Sequence, residues 1–164
     1  MVDGNSYIPR VNYRFCHELS HIILGHQLNK IVTEDAEKEA DQFASELMLP
    51  SSEFRQLMTK FELHQLKEHY NHVSWEAIGR KWAELRPAVL TIFDNGMFKY
   101  RGGPARLNFP SQITQDELNV VNFCFDNCCN YRLEVSNLSI HGYYVDEGRN
   151  FERVLILTEV NDII

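Results

Sequence analysis

The sequence has no uninterrupted apolar run of the roughly 20 residues that a membrane helix needs. Its opening stretch, MVDGNSYIPRVNY, also lacks the positively charged start and following apolar segment of a secretion signal. These two absences predict a cytoplasmic protein that does not enter a membrane.

The sequence has four cysteines, and their spacing matches no zinc-ribbon pattern. Without a secretion signal, a framework of disulfides is not expected. We therefore interpret the cysteines as reduced thiols that fill core space. They are Cys16, Cys124, Cys128 and Cys129.

Positive charge is also in short supply. The chain has 16 lysines and arginines against 23 acidic residues, for a net charge of −7. Proteins that bind nucleic acid by bulk attraction need a basic face that displaces counterions from phosphates. The charge balance therefore argues against direct nucleic-acid binding as the main function.

The first half of the sequence has the periodicity of amphipathic helices. One candidate helix covers residues 12–26. Thr33 can cap the next helix, which runs through EDAEKEADQFASELML and stops before Pro50. Ser74 can cap a later helix, WEAIGRKWAEL. We predict that residues 1–86 form a helical domain.

The second half of the sequence has a different pattern. Asn95-Gly96 lies between two apolar runs and is a strong hairpin signal. Thr114 and Glu117 have the capping-box spacing and open a helix. The runs RLEVSNLSIHGYYV and ERVLILTEV indicate strands. We predict that residues 87–164 form a smaller α+β region, which makes the whole chain α+β.

The segment HELSH, which begins at His17, has the pattern HExxH. On a helix, His17 and His21 share one face, so both imidazoles can bind one tetrahedral ion at about 2.0–2.1 Å. Glu18 is placed to accept a proton from water instead of binding the metal. Such ligands suit Zn²⁺, although cobalt or manganese can use them as well.

The surroundings of this motif favour a metal over a chance pair of histidines. Apolar neighbours predict a buried helix, in which an unpaired His–Glu–His cluster would be costly and a bound metal would remove that cost. His26, nine residues after His17, is expected on the opposite helix face, in a structural or solvent-facing position. The apolar neighbours are Phe15, Leu19, Ile22, Ile23 and Leu24.

A catalytic zinc ion takes three protein ligands and keeps the fourth position for water. On the helix after Thr33, Glu37 and Asp41 lie one turn apart at the border of the apolar face. We favour Glu37 as the third ligand and Asp41 as the residue that orients a ligand histidine. Glu39, near the opposite border, is the alternative ligand.

An enzyme of this kind also needs a group that stabilises the oxyanion formed during the reaction. Tyr70 and His72 lie in a polar, titratable stretch between two predicted helices and are candidates for that donor. The alternative is that both are ordinary surface groups.

HELSHIILGH followed by EKEADQFASELMLP resembles the ImmA/IrrE family of metallopeptidases. The spacing of Glu37 and Asp41 is also similar to that of the thermolysin-like gluzincins, in which the glutamate is the third ligand and the aspartate holds a histidine. VSWEAIGRKWAELRP resembles the helix that follows in the family, so the likeness covers residues 10 to about 100. It implies a helical, zincin-like metallopeptidase core.

The same resemblance implies a zinc-dependent endopeptidase that cleaves a protein partner. The substrate class linked with the family is the helix-turn-helix transcriptional repressor, and an acidic surface is compatible with docking such a basic protein. One alternative is a regulatory or binding protein that holds a metal without turnover.

A second alternative is a helix-turn-helix DNA-binding module over LHQLKEHYNHVSWEAIGRKWAEL. Its candidate recognition helix carries Arg80 and Lys81, but two glutamates accompany them. The apolar residues of that helix fit core packing better than base recognition. They are Trp75, Ile78 and Trp82.

Overall fold

The computed structural model describes residues 8–26, 33–104, 111–148 and 150–161. None of the helices in these ranges has the length and apolarity needed to cross a bilayer. The helices are α1 (Ile8–Ile23), α2 (Glu34–Met48), α3 (Ser51–Leu57), α4 (Leu63–His69), α5 (Trp75–Leu85) and α6 (Gln115–Asn127). The strands are β1 (Ala88–Asp94), β2 (Met97–Gly102), β3 (Tyr131–Val135), β4 (Leu138–Asp146) and β5 (Glu152–Val160).

The chain divides into two compact units, Met1–Ile78 and Gly79–Ile164. The regular structure described in the first unit consists of helices, and the second unit contains the whole sheet. The predicted α+β class, with a helical region followed by a part with a sheet, is confirmed. A domain boundary at residue 86, where the sequence pattern changes, stays a prediction.

Helix α1 begins and ends earlier than the predicted span of residues 12–26. Its first turn contains Pro9, which is tolerated there because the first N–H groups of a helix have no partner within the helix. Its end is set by Gly25, whose φ of 74° is left-handed and stops the helix at Ile23. The next helix begins as predicted, since the Thr33 hydroxyl accepts a hydrogen bond from the backbone N–H of Ala36.

The predicted burial of α1 is wrong. Phe15 is 68 % exposed and Ile22 is 57 % exposed, and Ile23 and Leu24 are exposed too. The face of α1 that contacts α2 carries polar side chains, which meet carboxylates of α2. The apolar neighbours of the motif therefore lie away from that contact, and α2 buries small or flexible residues instead. These are Ala40, Ala44 and Met48.

The second unit is built on a five-stranded antiparallel sheet in the order β2-β1-β5-β4-β3. The β1–β2 hairpin turns at Asn95 and Gly96, whose φ values of 49° and 77° confirm the predicted turn. RLEVSNLSIHGYYV is not one strand, because the chain reverses after Val135 and the run forms the β3–β4 hairpin. Ser136 has a φ of 55° in that turn, and serine is not a residue type that predicts a left-handed conformation.

Helix α6 packs closely on one face of this sheet. A Cβ atom on Gly142 of β4 would lie 2.6 Å from the Cys124 Sγ and 2.7 Å from a Val120 methyl group. Only glycine therefore allows this approach of the helix to the strand. The core on this face consists of Phe93, Val120, Val121, Cys124, Ile140, Val154 and Ile156.

A buried ion pair joins α6 to the sheet. The capping box predicted for Thr114 and Glu117 is confirmed, and the same glutamate accepts hydrogen bonds from Arg101 at 2.9 Å and Thr158 at 2.6 Å. Burial raises the pKa of Glu117, but the hydrogen bonds from Arg101, the Thr114 backbone and Thr158 outweigh that effect. The net result is a pKa below the usual range, so the carboxylate stays charged in the core.

The four cysteines are free thiols, but only one fills core space as predicted. Cys124 is buried on α6, while Cys128 and Cys129 are exposed. The reason is that α6 ends before them, with Cys128 in a left-handed conformation at the helix terminus. Burial raises the pKa of the Cys124 thiol to about 11, which keeps it protonated.

Candidate metal centre

The two histidines of HELSH lie side by side on α1. His17 and His21 have ring centroids 4.7 Å apart and Nε2 atoms 3.1 Å apart. This proximity follows from the helix, in which residues i and i+4 share a face. His21 is buried and His17 is partly buried, so the two Nε2 atoms face one another largely out of water.

The Glu37 carboxylate on α2 approaches both imidazoles. One oxygen lies 3.2 Å from the Nε2 of His17, and the other lies 3.5 Å from the Nε2 of His21. Atoms that bind a tetrahedral zinc ion at about 2.0–2.1 Å lie about 3.3 Å from one another. Since the three side chains already have this spacing, they fit a single ion of that size.

The donor set also agrees with the chemistry of such an ion. Two imidazole nitrogens and one carboxylate oxygen suit Zn²⁺, and cobalt or manganese can use them too. The Glu37 side chain is 50 % exposed, so solvent reaches the cluster. A catalytic metal site requires this access, because one coordination position must remain open to water.

Asp41 holds His17 through the other ring nitrogen. The Nδ1 of His17 lies 2.8 Å from an Asp41 carboxylate oxygen. Because a carboxylate only accepts hydrogen bonds, the Nδ1–H of a neutral imidazole donates, and the lone pair is left on Nε2. The Tyr13 hydroxyl donates to the same oxygen at 2.6 Å. Burial and the Asp41 carboxylate raise the pKa of Tyr13, so the phenol keeps its proton.

His26 is buried beside His21, which corrects its predicted position on the opposite face of α1. The two Nδ1 atoms are 3.0 Å apart, and the Nε2 of His26 lies 3.2 Å from a Glu39 oxygen. Helical periodicity does not apply to His26, because the helix ends at Ile23 and Gly25 turns the chain back. Glu39 therefore contacts His26, and its role as an alternative ligand stays a prediction.

Glu18 follows His17 on α1, and its side chain is exposed. Within the ranges that the structure describes, it takes part in no ion pair, so its carboxylate is available to water. That availability is what a proton acceptor needs. The catalytic role of Glu18 stays a prediction.

The two candidate oxyanion donors lie in the stretch after α4. Tyr70 is 4 % exposed and stacks on Phe54, with ring centroids 5.7 Å apart. Burial and the neighbouring Glu53 carboxylate raise the pKa of Tyr70 to about 12. His72 has an exposed side chain, and its backbone carbonyl accepts a hydrogen bond from Asn12 of α1. Their role in stabilising an oxyanion stays a prediction.

For two residues, Tyr13 and His26, the contact with the cluster was not predicted from the sequence. Tyr13 precedes His17 by one helical turn, so the i to i+4 spacing that relates the histidines was a usable signal for it. His26 had a weaker signal, namely a glycine before it that could end the helix and redirect the chain. Its contact with His21 could not be read from periodicity.

The structure does not favour the DNA-binding alternative. The Lys81 side chain is 4 % exposed, and the Arg80 guanidinium lies 3.7 Å from the centre of the Tyr100 ring. Trp82 and Ile78 are buried, as expected of a helix that packs in a core. Lys81 is therefore buried, while Arg80 is exposed and contacts Tyr100, so the two basic residues do not share an exposed face that could bind phosphates.

Comparisons with known proteins agree with the motif. Residues 5–83 match the family model of the IrrE N-terminal-like domain, Peptidase_M78. No curated protein and no solved structure matches the chain significantly. The match contains the whole histidine and carboxylate cluster, and the resemblance predicted from HELSHIILGH and EKEADQFASELMLP is confirmed. Residues 5–83 of this chain are thus similar to the IrrE N-terminal-like, or Peptidase_M78, family of metallopeptidases.

Proposed function

We propose that this chain is a zinc-dependent endopeptidase in which His17, His21 and Glu37 hold the metal. The observation that carries the proposal is the spacing of 3.1–3.5 Å among their ligand atoms. The lone pair of His17 Nε2 faces the Glu37 carboxylate, and two such electron-rich atoms at 3.2 Å favour a cation between them. The family match over this segment supports the same conclusion.

When bound, zinc acts as a Lewis acid that polarises the scissile carbonyl and brings the pKa of a coordinated water to about 7. Glu18 accepts a proton from the attacking water and returns it to the amine that leaves. Asp41 keeps the imidazole of His17 in the tautomer whose Nε2 lone pair is free. Tyr13 steadies Asp41 by donating to the oxygen that already accepts from His17.

We propose a protein as the substrate, with a helix-turn-helix repressor as the first candidate. A net charge of −7 favours the docking of a basic DNA-binding protein. The exposed carboxylates at the site add negative charge where such a partner would approach. These charges therefore suit a cationic substrate better than an acidic one.

Metal content is the first test of the proposal. The purified chain should bind one zinc ion, and Glu37→Gln should weaken binding by more than about 100-fold. The loss of a residue that only hydrogen-bonds a metal ligand already lowers metal affinity by about 10–100-fold. Glu34→Gln is the matched control, because Glu34 lies on the same helix and pairs only with Lys38 in the described structure. Retention of zinc by Glu37→Gln would remove Glu37 from the ligand set.

Cleavage is the second test. The zinc-loaded chain is incubated with purified helix-turn-helix repressors and with a peptide library, and fragments are identified by mass spectrometry. Glu18→Gln should keep its zinc and lose about 10²–10⁴-fold in rate, because it removes the proton acceptor alone. Zinc binding without cleavage of the repressors or of the peptide library would favour a regulatory metal protein instead.

A further inference from the structure

The ring of His26 connects His21 to a carboxylate of α2. The imidazoles of His21 and His26 meet edge to face, with centroids 5.2 Å apart and Nδ1 atoms 3.0 Å apart. On its far side, the Nε2 of His26 lies 3.2 Å from the Glu39 carboxylate. Both histidine side chains are largely shielded from solvent, at 9 % and 11 % exposure.

The Glu39 carboxylate determines the direction of both hydrogen bonds when the rings are neutral. A carboxylate only accepts, so the Nε2–H of His26 donates to Glu39. The Nδ1 of His26 then carries a lone pair, and it accepts a hydrogen bond from the Nδ1–H of His21. As a result, the Nε2 of His21 has its lone pair directed at the Nε2 of His17 and at Glu37.

We propose that His26 and Glu39 form a positioning pair that holds His21 in the tautomer and orientation needed to bind the metal. This inference rests on the proposed zinc site. It gives Glu39 a role different from that of a ligand, because its carboxylate reaches the site only through His26. A partner on the second nitrogen of a ligand histidine fixes the ring and raises its basicity.

The positions of the residues explain why an intermediate histidine is needed. On α2, Glu37 and Asp41 are one turn apart and both reach α1 directly. Glu39 is two residues from each of them, which rotates it about 200° around the helix axis from Glu37. Gly25, with its φ of 74°, turns the chain after α1 so that His26 fills the gap between Glu39 and His21.

The two ligand histidines are therefore held in parallel ways. Asp41 supports His17 by one direct hydrogen bond of 2.8 Å. Glu39 supports His21 by two hydrogen bonds in series, through His26. If both supports matter, removing His26 should weaken the metal site about as much as removing Asp41.

Zinc affinity at fixed pH tests the pair, measured by competition with a chromophoric chelator. His26→Phe should weaken binding by about 10–100-fold, the usual cost of losing a partner behind a ligand. His26→Asn should recover part of the loss, because its amide oxygen can take the place of Nδ1 as acceptor. Glu39→Gln should lose less than His26→Phe, since its amide oxygen still accepts from His26. Glu34→Gln should bind like the wild type.

A spectroscopic signature separates positioning from a general structural role. In the zinc-loaded protein labelled with ¹⁵N, His21 should carry its proton on Nδ1, and a scalar coupling across the N–H···N bond should link it to His26. Glu39→Gln should keep this coupling, because its amide oxygen still accepts a hydrogen bond from His26. Circular dichroism of each metal-free variant shows whether it folds. If His26→Phe does not fold, His26→Asn and Glu39→Gln still test the pair.

The outcomes distinguish this inference from the proposed function. If the wild type binds zinc, Glu37→Gln does not, and every variant of His26 and Glu39 binds like the wild type, the positioning pair is overturned and the zinc site stands. If Glu39→Gln abolishes binding and Glu37→Gln retains it, Glu39 is a ligand and the pair is again overturned. If the wild type binds no zinc, both proposals fall.

Discussion

At the residue scale, the cluster depends on which ring nitrogen of each histidine faces inward. His17 presents Nε2 because its Nδ1 is engaged by Asp41. The sequence predicted the pairing of Glu37 and Asp41 near the histidines from helical periodicity, and the structure brings these side chains together. Their functional roles stay predictions until metal binding is measured.

The contact between Asp41 and His17 predicts a measurable loss of zinc affinity when the Asp41 carboxylate is removed. Asp41→Ala should weaken zinc binding by about 10–100-fold, because the ligand imidazole loses the partner that orients it. Asp41→Asn should lose less, since its amide oxygen still accepts from the Nδ1–H of His17. Tyr13→Phe should have a smaller effect than Asp41→Ala, as it removes only the second hydrogen bond to that carboxylate.

Isothermal titration with zinc at fixed pH measures these three variants. Asp35→Ala is the matched control, because it removes an exposed carboxylate from the same helix, 4.0 Å from Lys38. An affinity for Asp41→Ala equal to that of the control would show that His17 does not depend on this hydrogen bond.

At the scale of elements, local sequence patterns correctly predicted most helix starts and one hairpin. Thr33 and Thr114 cap α2 and α6 through their hydroxyl groups, and Asn95-Gly96 forms the β1–β2 turn. These features depend on residues within a few positions of one another, so the sequence contains the cause. The β3–β4 turn was missed because its left-handed residue is Ser136, a residue type that rarely signals such a conformation.

Glu117 has a second role that its local pattern did not show. As part of a capping box it needs only Thr114, yet it also receives hydrogen bonds from Arg101 of β2 and Thr158 of β5. Those partners are distant in the chain, so only the packing of α6 on the sheet brings them to it. The buried pair therefore links three elements.

This buried pair predicts a pH dependence of stability. Because the pKa of Glu117 is lower in the folded state, its charge stabilises the fold above the unfolded value of about 4.3. That contribution is lost as the pH falls below about 4 and through the lowered folded pKa. Glu117→Gln should cost about 3–5 kcal/mol at pH 7, since it leaves the Arg101 charge buried without its carboxylate.

Urea unfolding from pH 7 down to pH 3 measures the effect. The wild type should lose stability steeply in acid, and Glu117→Gln should show a shallower loss. Asp116→Asn, in the same helical turn, should cost less than about 1 kcal/mol, the range of a charge near a helix start. Equal acid sensitivity in the wild type and Glu117→Gln would contradict the role of this pair.

At the scale of the whole molecule, the net charge of −7 predicts salt-sensitive turnover of a basic substrate. Raising the ionic strength shortens the reach of electrostatic attraction to about 10 Å at 0.1 M, so long-range steering weakens. The kcat/KM for a basic repressor should therefore fall between low and high salt. The rate for a short uncharged peptide with the same scissile bond should change little.

Stopped assays at several sodium chloride concentrations compare the two substrates, with Glu18→Gln as the background. A salt-independent kcat/KM for the basic protein would contradict the electrostatic contribution to docking. A parallel fall for the uncharged peptide would instead indicate an effect of salt on the site itself.

The sequence by itself determined what depends on neighbours along the chain: most helix starts, the caps at Thr33 and Thr114, one turn, and the rotation that puts His17 and His21 on one face. Periodicity within a helix has a fixed geometry, so these features need no partner from elsewhere. Only the tertiary structure decided that α1 turns its polar face to α2 and that His26 returns to His21. Both depend on how separate segments pack and on the left-handed turn at Gly25, which the spacing of residues along one helix does not contain.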